Sequence, residues 1–88
     1  CTASSRLIVT EGIHDAFVEA MKEALGKLVV DDALKPETQI GPVVDDSQLR
    51  QDLFYTDLAK QENAEVVGGR LLTREQKGFY LEPALFLN

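Results

Sequence analysis

The spacing of hydrophobic residues changes near residue 12. Residues 6–9 form a short apolar run that ends at Glu11, and this predicts a buried strand entered from a loop of small residues. From Ile13 onward, apolar residues recur every three or four positions with charged residues between them. This spacing predicts an amphipathic helix that ends at residues 28–30. Its single core face is expected to consist of Ile13, Phe17, Ala20, Met21, Ala24, Leu25 and Leu28.

A second helix is predicted after a proline-containing surface loop at residues 31–42. The helix is expected to begin near Asp45, whose side chain can cap the exposed amides. Gln48, three residues later, can reach back to the N–H of Asp45 as in a capping box. Asn63 can take the left-handed conformation that closes a helix. The weaker inner face is expected to contain Leu49, Leu53, Thr56 and Lys60.

The last third of the chain has strand-like segments separated by turn residues. Residues 66–67 predict a brief strand, Gly68 and Gly69 a turn, and residues 71–77 a polar surface excursion. Residues 79–86 predict an extended run in which Pro83 marks an edge position or a bend. The expected order is therefore strand, helix, helix, strand, strand, a fragment of an α/β layered domain.

Composition limits the chain to one domain at most. It has 88 residues, of which 44% are hydrophobic and 27% charged, as in a small globular unit. A unit of this size is marginally stable alone, and its single cysteine excludes an internal disulfide. We therefore expect apolar surface that needs a larger assembly to cover it, and self-association when it is uncovered.

The charge distribution argues against nucleic acid and membranes as partners. Fifteen acidic residues oppose nine basic ones, and the basic residues are scattered singly rather than along one face. The apolar runs are far too short to cross a bilayer, which favours a cytoplasmic protein. The chain begins with cysteine and closes without a polar tail, so both ends are expected to continue into something longer.

The run at residues 1–9, Cys-Thr-Ala-Ser-Ser-Arg-Leu-Ile-Val, resembles the segment of the aldehyde dehydrogenase superfamily that begins at the catalytic cysteine. The resemblance continues collinearly to the end of the chain. It implies that residues 1–88 are part of the three-layer α/β catalytic domain of such an enzyme. Departures occur at Thr56, Ala59 and Asn63. The matching segments are 13–18, 40–42, 48–49, 60–62, 68–69 and 78–86, and those at 31–36 and 43–49 most resemble α-ketoglutaric semialdehyde dehydrogenases.

The resemblance implies a reaction and a role for three residues. Cys1 would be the nucleophile, whose thiolate attacks the aldehyde before hydride leaves to NAD or NADP and water cleaves the thioester. Thr2 would line the substrate entrance, although a capped turn is an equally good interpretation. Gln48 would contact the ribose of the cofactor, although helix capping alone also explains it. No metal is expected, because no second histidine or cysteine lies at ligand spacing from His14.

The family's general base, the asparagine of its oxyanion hole and its dinucleotide-binding domain would all precede Cys1. The resemblance therefore implies that the 88 residues alone are inactive and work with the remainder of a parent chain, in a homo-oligomer. Two alternatives stay open at this point. A mature lipoprotein also begins with cysteine and small polar residues, and an acidic chain with amphipathic helices could be a small interaction module.

Overall fold

The described part of the chain, residues 3–87, folds into two helices followed by four short strands. The computed structural model describes residues 3–87. The prediction of a small α/β unit is confirmed, but the order of its elements differs from the expected one. The elements are α1 (Glu11–Gly26), α2 (Asp46–Gln61), β1 (Glu65–Gly68), β2 (Leu71–Leu72), β3 (Tyr80–Leu81) and β4 (Ala84–Leu87).

The strand predicted at residues 6–9 does not form. These residues belong to no strand, and Ile8 is fully exposed, at 101% of its reference surface area. A strand needs a neighbour to pair its backbone N–H and C=O groups, and the described part of the chain pairs none with this run. The prediction of a buried strand at residues 6–9 was therefore wrong.

Helix α1 begins two residues earlier than predicted and is only lightly packed. Thr10 occupies the N-cap position without a side-chain capping bond, and Val18 is the buried residue of the helix. Ile13, placed on the core face by the periodicity, is 58% exposed. The Nζ atom of Lys22 lies 3.7 Å from the Glu65 carboxylate, which links this helix to β1. The expected core face is thus only partly covered in this chain, because its other large residues, Phe17, Met21, Leu25 and Leu28, are half-buried.

The loop after α1 is closed by backbone bonds at its base. The carbonyl of Val29 accepts hydrogen bonds from the N–H groups of Gln39 and Ile40, at 2.9 and 3.0 Å. Arg74, far away in sequence, donates from Nε to the carbonyl oxygen of Val30 at 2.6 Å. Val30 itself is buried, so this loop is anchored at one apolar point while most of its residues remain at the surface, as predicted.

The two ends of helix α2 are formed by the residues that the sequence predicted for them. The Asp45 side chain accepts a hydrogen bond from the N–H of Gln48 at 2.8 Å. Beyond the helix, Asn63 takes the left-handed conformation, with φ of 65°. Leu49 and Thr56 are its buried residues, whereas Lys60 of the predicted inner face is exposed. The Thr56 hydroxyl is satisfied because it donates to the backbone carbonyl of Asp52 at 2.9 Å.

Replacing Asp45 by alanine is expected to lower the free energy of unfolding by about 1 kcal/mol. The substitution removes the acceptor that satisfies an amide at the start of α2. Asp45→Asn is the matched control, since asparagine caps helices about as well as aspartate. The measurement is the midpoint of thermal unfolding of the naturally expressed protein. Equal midpoints for the two variants would show that capping by Asp45 contributes nothing.

The four strands form one antiparallel ribbon in a single register. Strand β1 pairs with β4, and β2 pairs with β3, with Leu71 opposite Leu81. The register is the same on both sides of a break at residues 69–70 and 82–83. Pro83 lies at this break because it has no N–H for the ladder. The prediction of a purely polar excursion at 71–77 was wrong for its first two residues, which form β2.

The turn predicted at Gly68 and Gly69 is wrong, because Gly68 is the last residue of β1 and the N–H of Gly69 donates to the carbonyl of Pro83 at 3.2 Å, so the ribbon continues through this pair. Both have φ of 78°, a conformation that residues with a side chain rarely adopt. A Cβ atom at position 68 would lie 2.2 Å from the carbonyl oxygen of Pro83. Glycine is therefore required here both by backbone conformation and by the closeness of the opposite strand.

The core is small, and many large apolar side chains remain exposed. The buried hydrophobic residues among those described are Val18, Val30, Leu49 and Tyr80. The exposed ones extend over the whole chain and confirm the expectation of uncovered apolar surface. Self-association through this surface stays a prediction. The exposed set is Leu7, Ile8, Ile13, Val29, Leu34, Val44, Phe54, Tyr55, Leu71, Phe79 and Phe86.

Candidate functional site

Of the three residues that the sequence singled out for chemistry, the structure describes Gln48. Cys1 and Thr2 lie outside residues 3–87, so their roles stay predictions. Gln48 is the third residue of α2 and is half-buried. Its backbone N–H is used by the cap, because it donates to Asp45. The backbone of Gln48 is therefore held at a fixed place at the start of the helix.

The side chain of Gln48 does not complete the predicted capping box. Its Nε2 atom donates to Oδ1 of Asp52 at 2.8 Å, one helical turn onward, instead of reaching back to Asp45. Residues four apart lie on the same side of a helix, so this contact needs no distortion. Asp52 is a residue that sequence reasoning missed, although its spacing from Gln48 was a visible signal.

Asp52 also lines an open groove of about 460 Å³. The groove runs between α2, the segment at 40–43 and the ribbon at 81–86. On the helix side, Tyr55 and Thr56 stand beside Asp52 and add hydroxyl groups to a wall that is otherwise mostly apolar. Gln48, Asp52 and this groove thus form one connected surface along α2. We call this surface the α2 polar edge, defined by Gln48, Asp52 and Tyr55.

An ion pair fixes the opposite wall of the groove. The Arg70 guanidinium donates two hydrogen bonds to the carboxylate of Glu82, each at 3.0 Å, across the break in the ribbon. The Arg70 N–H adds a longer bond to Glu82 Oε1 at 3.4 Å. The side-chain bonds from Arg70, with help from that backbone N–H, hold the pKa of Glu82 below its ordinary value although partial burial opposes them. The pair is structural in this arrangement, since both partners satisfy each other.

This ion pair predicts a sensitivity to acid that depends on Glu82. A carboxyl with a depressed pKa in the folded state stabilises the fold above its unfolded pKa, and the contribution is lost as pH falls through the folded value. We therefore expect Glu82→Gln to lower the thermal midpoint at neutral pH, where the ion pair stabilises the native protein. At pH values below the ordinary carboxyl range, the midpoint of Glu82→Gln should fall less with decreasing pH than that of the native protein. The exposed Glu75, in the loop of the same ribbon, supplies the control Glu75→Gln. Parallel acid profiles for the native protein and Glu82→Gln would contradict the assignment.

The other polar groups have ordinary structural roles. His14 is partly exposed and contacts the neighbouring Asp15 at 3.1 Å, as expected of a surface histidine. The pair Asp31 and Asp32 binds within its own loop, where Lys35 donates to Asp31 at 3.2 Å. Within residues 3–87, no three histidine, cysteine or acidic side chains are grouped so as to hold a metal ion.

None of the helices in the described part of the chain is both long enough and apolar enough to cross a bilayer.

The layered α/β arrangement and the extent of the sequence match define the class of this chain. The model of the aldehyde dehydrogenase family matches residues 1–88, which is its entire length. The chain belongs to the aldehyde dehydrogenase family, and the resemblance found in the sequence is confirmed.

Relatives named for different aldehyde substrates are about equally similar to this chain in sequence. The chain is 37% identical over 91 residues to the α-ketoglutaric semialdehyde dehydrogenase of Bacillus subtilis, covering 100% of this chain and 19% of the relative. It is 36% identical to a probable betaine aldehyde dehydrogenase of Schizosaccharomyces pombe, covering 100% and 18%. The chain thus spans about a fifth of the length of these relatives.

Solved structures share the fold almost completely. HpcC from Thermus thermophilus superposes with a TM-score of 0.90 at 38% identity, over 98% of this chain and 18% of that one. The NAD+ complex of aldehyde dehydrogenase from Bacillus cereus gives 0.90 at 29% identity, over 98% and 17%. The two helices and the strand ribbon are therefore a recurring part of this family's architecture.

Proposed function

We propose that residues 1–88 form part of the catalytic domain of an NAD(P)-dependent aldehyde dehydrogenase that oxidises a semialdehyde to its carboxylate. The observation that carries the proposal is the family match over the whole chain. A neighbour of the same fold that binds NAD+ supports the choice of cofactor class. The match runs through residues 1–9 as well, which argues against the lipoprotein and interaction-module alternatives.

Cys1 is the proposed nucleophile. Its thiolate adds to the aldehyde carbon and forms a thiohemiacetal, which loses hydride to become a thioester. Water then attacks the thioester carbon and the carbon–sulfur bond breaks, which releases the carboxylate, restores the Cys1 thiolate and sets two protons free. When bound, the nicotinamide dinucleotide supplies the hydride acceptor. Cysteine suits the first step because a thiolate is strongly nucleophilic and is partly populated near neutral pH.

Gln48 is the proposed contact to the cofactor. Its amide lies at the exposed start of α2, and one side of it is already bonded to Asp52. An amide oxygen accepts hydrogen bonds, and hydroxyl groups such as those of a ribose donate them. The polar groups present therefore fit the sugar of a dinucleotide.

The substrate that we favour is α-ketoglutaric semialdehyde. The similarity to the B. subtilis relative supports it, and the S. pombe relative makes betaine aldehyde the second candidate. Thr2 is proposed to line the substrate entrance, where its hydroxyl can bond a polar substrate. These two substrates differ in charge, because one carries a carboxylate and the other a quaternary ammonium, so one assay separates them.

The exposed apolar residues support a larger assembly around this chain. We propose that the remainder of a parent chain covers most of them, and that the parent is a cytoplasmic homo-oligomer. Without that remainder, the 88 residues are expected to show no turnover, because they contain one proposed catalytic group and no complete cofactor site.

The test is NAD(P)H formation by the naturally expressed protein. Each of the two aldehydes is supplied with NAD+ and with NADP+ in separate reactions, and the intact mass of the protein is measured in parallel. Faster turnover of α-ketoglutaric semialdehyde supports the proposal. Faster turnover of betaine aldehyde would mean that betaine aldehyde is the substrate instead. A protein that reduces neither cofactor with any aldehyde would overturn it.

A further inference from the structure

The contact between Gln48 and Asp52 determines which atom of the glutamine is free. An ionised carboxylate only accepts hydrogen bonds, so the group that faces Asp52 must be the NH2 of the amide. The 2.8 Å distance from Nε2 to Oδ1 agrees with this requirement. The amide cannot rotate by half a turn without placing its oxygen against the carboxylate oxygen. The orientation of the Gln48 amide is therefore fixed by the chemistry of its partner.

The oxygen of the same amide is left available. Within residues 3–87, no hydrogen bond uses Gln48 Oε1, and no buried side-chain oxygen lacks a partner. Oε1 is thus open to solvent. The Gln48 amide thus has its NH2 group bonded to Asp52 and its oxygen exposed. This arrangement is preorganised for a ligand group that donates a hydrogen bond, such as a hydroxyl.

Asp52 is itself held in place. Asp52 belongs to the second turn of α2 as well as to the groove, and its backbone carbonyl accepts a bond from the buried Thr56 hydroxyl. This bond ties the backbone of Asp52 to the best-packed part of the helix. The backbone of Asp52 therefore has a fixed place one turn from Gln48, and its half-buried carboxylate lies within hydrogen-bond distance of the Gln48 amide.

We infer that Asp52 is a positioning residue, which orients the Gln48 amide so that its oxygen accepts a hydroxyl of the bound dinucleotide. The inference rests on the proposed function, in which Gln48 contacts the cofactor. Asp52 touches neither cofactor nor substrate in this scheme. It acts only through Gln48, and this dependence is what the experiment measures.

The test is a double-mutant cycle in the naturally expressed protein. Asp52→Ala is made alone and in a Gln48→Ala background, and the Kd for NAD+ and for NADP+ is measured by fluorescence titration. With Gln48 present, Asp52→Ala is expected to raise the Kd and the dinucleotide KM by roughly two- to tenfold, the effect of freeing one ordered side chain. The kcat at saturating dinucleotide is expected to stay within about twofold. With Gln48 absent, Asp52→Ala should have no further effect.

Asp57→Ala is the matched control. Asp57 lies on the same helix and is exposed, so its removal changes helix propensity and net charge in the same way without touching Gln48. A merely structural role of Asp52 would change the Kd equally in both backgrounds. A purely electrostatic role would make Asp52→Ala bind the anionic dinucleotide more tightly. Either result, or an unchanged Kd, would overturn the inference.

The failure of the inference can be told apart from the failure of the proposed function. If the native protein oxidises aldehydes and Asp52→Ala binds the dinucleotide equally well, only the role of Asp52 is contradicted. A native protein that neither binds a dinucleotide nor oxidises an aldehyde removes both.

Discussion

Replacing Cys1 by alanine is expected to lower kcat for aldehyde oxidation by at least roughly three orders of magnitude. Cys1 is the proposed nucleophile, and without its sulfur no thiohemiacetal or thioester can form, so hydride transfer has no covalent precursor. Cys1→Ser should fall nearly as far, because an alcohol is ionised far less than a thiol near neutral pH. The measurement is steady-state NAD(P)H formation by the naturally expressed protein.

Dinucleotide affinity provides the control for Cys1. Gln48, the proposed cofactor contact, is unchanged in these variants, so the Kd for the dinucleotide should remain within about twofold of the native value. Loss of turnover with binding retained would indicate a chemical role. Turnover close to the native rate in Cys1→Ala would contradict the assignment, and would require another nucleophile in the protein.

The helices could be predicted from the sequence because their signals are local. The apolar spacing after Ile13 gave α1, and Asp45 and Asn63 marked the two ends of α2. Capping and left-handed closure depend on residues within one turn of the helix end. The depth of burial could not be predicted in the same way. Val18 is the buried residue of α1, while Ile13 on the expected core face is exposed.

The strands were less predictable because their stability depends on distant partners. Residues 6–9 are as apolar as a buried strand, yet nothing in the described chain pairs with them. Leu71 and Leu72 form a strand inside a polar segment because Leu81 and Tyr80 lie opposite them. The composition of a short segment gives its tendency to form a strand, whereas pairing with another segment decides whether the strand forms.

The residues of the candidate site were also predicted only in part from the sequence. Cys1 and Thr2 were singled out by family resemblance alone, and no physical pattern around them pointed to chemistry. Gln48 was identified by the same resemblance, and its side chain was expected to bond to the cap. The side chain of Gln48 bonds to Asp52 instead, because the two residues are four apart on one face of α2.

Tyr80 is the residue on which the packing of the ribbon most depends. It is 1% exposed and is the largest fully buried side chain of the described residues. Its ring lies against the backbone of Gly78, where a Cβ atom would be 2.9 Å from Cε2 of the ring. Tyr80 also pairs with Leu72 in the ribbon. A single aromatic side chain therefore fills a fully buried position in the ribbon.

Replacing Tyr80 by alanine is expected to lower the free energy of unfolding by about 3–5 kcal/mol, since both buried apolar area and packing contacts are lost. A chain of this size has a total stability on the order of 4–13 kcal/mol, so the variant should be partly unfolded or greatly lowered in its thermal midpoint. Tyr80→Phe keeps the ring and should cost less than about 1.5 kcal/mol. The two variants together separate the ring from the hydroxyl. Equal losses would mean that the hydroxyl, not the ring, stabilises the ribbon, and a small loss in both would mean that the segment around Gly78 collapses onto the vacated space.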